Sequence, residues 1–148
     1  MTDTTISFRA SPRIAGALEK KARELGVSAT DVILDALCVC FGIPRLAKVQ
    51  LLTGVAALVD SHFDPRTFPE DVIKAVFDLL RRDPTLWPLY RSLVYRPDGS
   101  TDETEKGVVH RAIGRLVRER LGAKVKGRSA PLDPSQHLIK SHALLVPG

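Results

Sequence analysis

The chain has 148 residues, 44% of them apolar, 26% charged and 5% aromatic, with a formal net charge of +5. That fits one ordinary domain, or a small unit followed by a second, with an aliphatic core that needs neither disulfides nor metals. No apolar run approaches the ~20 residues that span a bilayer, and no basic stretch followed by an apolar one marks a signal peptide.

Residues 4–9, Thr-Thr-Ile-Ser-Phe-Arg, alternate polar and apolar. Ile6 and Phe8 share one face and Thr5, Ser7 and Arg9 the other, the pattern of a short half-buried strand. Ser11 and Pro12 then open a helix as cap and first residue. Ile14, Leu18, Ala22 and Leu25 recur along it at helical spacing, and Gly26 ends it. Ser28 and Asp31 form a capping-box-like pair at the head of a second helix. Its apolar stripe is Val32, Ile33, Ala36, Leu37 and Phe41, and Gly42-Ile43-Pro44 stops it.

Cys38 and Cys40, the only cysteines, lie two apart in this helical pattern and so point to different faces. They are expected to be reduced thiols of a cytoplasmic protein, with no metal site.

A third, strongly apolar helix is expected from Arg45 to about His62, broken by Asp64-Pro65. A fourth should start with Thr67 as cap and Glu70 as its box partner, and end at Asp83-Pro84. A short fifth covers about 85–94, disturbed by Pro88. A sixth runs over 102–121, with Ser100 or Thr101 as cap and Gly122 as stop. Ala123–Arg128 and His137–Val146 then read as two strands of a hairpin. The organisation expected is therefore mainly α: a strand-helix-helix unit over 1–44, a connecting helix over 45–66, and a helical C-terminal domain over 67–148 with a β-hairpin.

A strand and two helices within forty residues cannot bury their own apolar faces, and a lone strand leaves an open edge. Two copies solve both problems by pairing their strands antiparallel and interlocking four helices, which predicts a homodimer. The two-stranded ribbon would face Ile6 and Phe8 inward and Thr5, Ser7 and Arg9 outward. Such a ribbon fits the major groove of B-DNA, where Arg9 can bind guanine O6 and N7 in a bidentate manner and the hydroxyls of Thr5 and Ser7 discriminate more weakly. The same alternation also fits an edge strand of an α+β domain.

Thr5-Ile6-Ser7-Phe8-Arg9, then Ser11-Pro12, Gly26-x-Ser28 and the Val32/Ile33/Leu37 stripe together resemble the ribbon-helix-helix family of DNA-binding proteins, the class of the Arc, MetJ and CopG repressors. The resemblance covers about a quarter of the chain. It implies a dimeric fold with an intermolecular ribbon, base reading by Thr5, Ser7 and Arg9, and a DNA phosphate anchored by backbone N–H groups at Val27, Ser28 and Ala29. A helix N-terminus is a ready anion site for the last of these.

The first 44 residues balance their charges, so the basic excess lies later. Lys106, Arg111, Arg115, Arg118, Arg120, Lys124, Lys126 and Arg128 are opposed between 106 and 128 only by Glu119. Arg111, Arg115 and Arg118 fall on one helical stripe. The order helix, helix, helix, hairpin over 67–146 resembles a winged helix-turn-helix, which would make 102–121 a recognition helix and 123–146 the wing. Arg111, Arg115, Arg118, Lys124, Lys126 and Arg128 would then form a second DNA surface. The alternatives are a helical extension with a solvated basic face and a surface for another protein.

No phosphate-binding glycine loop, metalloprotease motif, Cys-x-x-Cys or nucleophile elbow occurs, and His62, His110, His137 and His142 are scattered, so neither an enzyme nor a cofactor or metal is expected. The functions in view are a transcriptional repressor binding as a dimer or as paired dimers, a DNA-organising accessory protein of a plasmid or mobile element, and an antitoxin with its own promoter as target. Antitoxin tails are usually short and unfolded until bound, unlike the well-patterned residues 67–121.

Overall fold

A computed structural model describes residues 3–148. Six helices and one hairpin follow in order: α1 (Pro12–Leu25), α2 (Ala29–Phe41), α3 (Ala47–His62), α4 (Val72–Arg82), α5 (Leu86–Val94), α6 (Glu103–Leu121), β1 (Ala123–Arg128) and β2 (Ala143–Pro147). No helix among the described residues is long and apolar enough to cross a membrane.

The chemistry of the caps explains most boundaries. Ser11 Oγ accepts from Ile14 N–H at the head of α1, and Pro12 occupies the first turn. At α2, Ser28 Oγ accepts from Asp31 N–H at 3.0 Å while the Asp31 carboxylate accepts from Ser28 N–H at 3.3 Å, a closed capping box. Gly26 ends α1 with φ 69°, a conformation a β-carbon would strain, and lies beside the Ala112 carbonyl of α6.

The core is built on α3. Leu51, Leu52, Val55, Ala56 and Val59 meet Val72, Val76 and Leu80 of α4, Tyr90 and Val94 of α5, and Ile113, Leu116 and Val117 of α6 in one buried cluster. Residues 45–66, expected as a connecting helix, therefore supply the centre of the packing. Gly54 lets α5 approach closely, because a β-carbon there would overlap the Leu86 side chain. Buried in the same cluster, Tyr90 shares a hydrogen bond of 2.7 Å between its hydroxyl and His110 Nε2 and stacks on Trp87. Burial raises the Tyr90 pKa and, with Lys106 nearby, pushes His110 down to about 4.

Several sequence expectations need correction. Residues 4–9 are exposed and form no strand within the single chain, where nothing offers their backbone a partner. α3 starts at Ala47, two residues late: Arg45 is held outside it by a bidentate pair with the buried carboxylate of Asp35, with Nη2 to Oδ2 at 2.7 Å.

α4 starts at Val72, not at Thr67. Thr67 closes a turn onto the Asp64 carbonyl, while Glu70 gives its carboxylate to Lys126 and its carbonyl to Leu145 N–H. α5 is continuous through Pro88, which sits in the first turn, where its missing N–H would have no helical acceptor. Asp102 caps α6, since Thr101 bridges to Tyr95. β2 begins at Ala143, not at His137, because His137 N–H and Gln136 N–H are taken by the Asp133 carbonyl in a turn.

Cys38 is buried and Cys40 exposed, both as free thiols.

The His110 environment sets a pH dependence. In the unfolded chain a histidine titrates near its ordinary value of about 6.5, so that state takes up a proton which folded His110 refuses until about pH 4. The contribution to stability is complete above about 6.5 and is lost as pH falls from there towards 4. Urea unfolding midpoints are expected to fall more steeply from pH 6.5 to 4.5 in the wild type than in His110→Gln; equal slopes would remove His110 as the cause.

Candidate nucleic-acid interface

Three features could meet a polyanion: the N-terminal segment, the head of α2, and the basic side of α6. Thr5, Ser7 and Arg9 are exposed, as are the intervening Ile6 (83% exposed) and Phe8 (61% exposed). The alternation places polar and apolar side chains on opposite sides of an extended segment, but the single chain provides nothing against which the apolar side can pack.

At the head of α2 the donors are fewer than the sequence suggests. Val27 N–H is spent on the Ala22 carbonyl, closing the end of α1, and Ser28 N–H on the Asp31 carboxylate. Of the anchoring positions Val27, Ser28 and Ala29, only Ala29 keeps an N–H without an acceptor among the described residues. The Asp31 charge would repel a phosphate there, and Lys48 Nζ, 3.9 Å from that carboxylate, offsets it. Arg23 and Arg115 line the same depression, together with Glu119. Thus α6 brings a cation of the C-terminal part to the head of α2.

Arg111, Arg115 and Arg118 lie exposed along one side of α6, opposite its buried face of Val109, Ile113 and Leu116. They form one wall of a groove of about 770 Å³ between α6 and the C-terminal hairpin, to which Lys106, Arg128 and Lys140 also contribute. A β-carbon at Gly107 would stand 3.3 Å from Arg111 Nη1, so the glycine leaves that guanidinium room over the preceding turn.

The register of β1 on β2 breaks between Val125 and Gly127, leaving Lys126 unmatched. A one-residue bulge reverses the alternation of side chains, so Arg128 faces the groove on the same side as Val125. Lys124 and Lys126, grouped with these arginines by sequence, do not line it, and Lys126 Nζ pairs with Glu70 at 2.5 Å. Arg120 is likewise occupied, by Asp60. Among the described residues, none of the six groove cations has an ion-pair partner.

Sequence reasoning left Lys106 and Lys140 out of this surface. Lys106 lies off the Arg111/Arg115/Arg118 stripe, and Lys140 arrives only through the return of the chain after β1, where Leu132 N–H donates to the Lys140 carbonyl at 2.7 Å. His142, also in the groove wall, is buried and neutral, its pKa lowered chiefly by desolvation.

Comparison of the chain with protein-family models, with curated proteins and with solved structures gives no match.

The capping box has a measurable role of its own. Ser28→Ala removes the acceptor for Asp31 N–H and is expected to cost about 1 kcal/mol, read as a lower urea midpoint with an unchanged m-value.

Proposed function

We propose that this chain is a homodimeric, sequence-specific double-stranded-DNA-binding protein, in which residues 4–9 of two copies pair as a ribbon in the major groove. A transcriptional repressor is the activity this reading supports best. The observation that carries it is the distribution of unburied apolar surface. Ile6, Phe8, Ile14, Leu34, Leu37, Val39, Phe41 and Ile43 are all exposed, and outside this stretch Val125 is the one further large apolar side chain left so open among the described residues.

An apolar surface confined to one unit marks an interaction site. A second copy fits it because the extended segment lacks only an antiparallel strand, which the same segment of another copy supplies about a twofold axis. Each large side chain so covered contributes roughly 1.5–3 kcal/mol before the cost of association. Pairing in that register directs Ile6 and Phe8 to the four helices and Thr5, Ser7 and Arg9 to the DNA. Arg9 is the principal base-reading residue, since a bidentate guanidinium–guanine pair discriminates by about 1–3 kcal/mol.

The winged-helix resemblance of the C-terminal part has support in the arrangement of three helices followed directly by a hairpin. A second reading, a DNA-organising accessory protein of a mobile element, is favoured by the folded C-terminal core and its basic groove, which a minimal repressor does not need. The same core makes residues 47–147 unlike the unfolded tail of an antitoxin.

Two outcomes test the reading in the full chain. Phe8→Ala is expected to weaken dimerisation at least tenfold by light scattering with little change in helical circular dichroism; an unchanged dimer would remove the ribbon from the interface. Arg9→Ala is expected to remain dimeric and lose enrichment of any site selected from a random duplex pool by the wild type. If it selects the same site, base reading by the ribbon is refuted.

A further inference from the structure

The groove between α6 and the C-terminal hairpin gathers Lys106, Arg111, Arg115, Arg118, Arg128 and Lys140 without an ion-pair partner among the described residues, and Glu103 is its only acidic lining residue. Charges left unpaired side by side repel one another, and the cost is relieved when an anion lies between them. Other exposed cations, Arg82, Arg91 and Arg96 among them, also lack a carboxylate partner among the described residues. What distinguishes the groove is that six such cations line one depression.

The groove wall also holds an unpartnered polar group. His142 is 6% exposed and lies in the groove wall, and its Nε2 has no hydrogen-bond partner among the described residues. Ser129 Oγ accepts from His142 N–H at 3.0 Å and lies 3.1 Å from His142 Nδ1. If the Ser129 hydroxyl donates to Nδ1, the ring proton lies on Nε2. That N–H would be a donor without an acceptor in the wall behind the cations, closed off from solvent.

The position of the groove selects its ligand. Arg115 lines both the groove and the depression at the head of α2, although Asp31 and Glu119 line that depression as well. The cations of the groove therefore begin beside the strand-helix-helix unit and run outward along α6. A free mononucleotide would need only a closed subset of these residues. A track of separate cations spread along a helix and the hairpin facing it matches the evenly spaced charges of a phosphodiester backbone.

We propose that this groove holds the phosphate backbone of the same duplex, beyond the segment read by the ribbon, so that each C-terminal domain extends the footprint outward and binds without regard to sequence. The proposal rests on the DNA-binding reading above and adds to it a second, base-independent contact surface.

The test uses the full-length chain and a duplex carrying the selected site with flanks. The triple variant Arg111→Ala/Arg118→Ala/Arg128→Ala is compared with the charge-matched control Arg82→Ala/Arg91→Ala/Arg96→Ala, whose residues are also exposed and lie outside the groove. Removing one phosphate-binding cation flattens the slope of log affinity against log salt by about 0.9, hence by roughly 5 when a dimer is stripped of three in each protomer. The expected result is a slope flattened by several units in the groove variant and by less than one in the control. Hydroxyl-radical protection should disappear at the outer positions and persist at the centre.

Equal slopes in the two variants, or an unchanged outer footprint, would overturn the proposal. So would saturable binding of ATP to the DNA-free wild type, abolished in the groove variant while its salt slope stays that of the wild type, because the groove would then serve a free nucleotide. On random-sequence duplex the same slopes report on the groove alone. A wild type that enriches no site but still shows the groove-dependent slope refutes the ribbon and leaves the groove standing.

Discussion

Everything in this chain leans on α3, a helix with a broad apolar face at the centre of the core. Such a face is stable only when covered, and here α4, α5 and α6 cover it with Val76, Tyr90 and Ile113 among the residues packed against it. Its first turn also receives the N-terminal unit. The Asp35–Arg45 pair ties α2 to the segment before α3, and Lys48 of α3 reaches Asp31 at the head of α2. A buried carboxylate is tolerated only with a partner, so Arg45 is drawn out of the helix that the sequence would have it begin.

The two ends of the molecule solve the burial problem differently. The C-terminal part closes on itself: β2 donates Leu145 N–H to the carbonyl of Glu70 before α4, and Leu145 and Ile139 join the core. The first 43 residues bury little beyond Ala22, Leu25 and Cys38 and leave Ile6, Phe8 and Phe41 in water. In the proposed dimer that deficit becomes the reason for association, and the polar face of the same segment becomes the reading surface. One extended hexapeptide then carries both dimerisation and specificity, through its two faces.

Electrostatics divide the C-terminal cations into two groups that the sequence shows as one. Arg120 and Lys126 bind Asp60 and Glu70 across the fold, whereas Arg111, Arg115, Arg118 and Arg128 share a groove with no such partner among the described residues. Net charge alone favours an anionic partner without locating its site. The groove does so because the β-bulge after Val125 turns Arg128 towards α6 and the chain returns to bring Lys140 opposite.

What the sequence determined by itself is local. The capping pair Ser28/Asp31, Pro12 behind Ser11, and glycine after α1, α2 and α6 mark helix ends because each acts within a few residues through its own backbone bonds. The stripes of α4 and α6 and the presence of a hairpin were legible for the same reason, as periodicity records which face must be covered. What only the tertiary structure decided involves partners distant in sequence. Glu70 is claimed by Lys126 and Leu145, so α4 starts late; Asp35 claims Arg45; and the groove takes Lys106 and Lys140 in place of Lys124 and Lys126. Each depends on residues far apart in the chain, which no local periodicity records, and it is settled only when folding has brought them together.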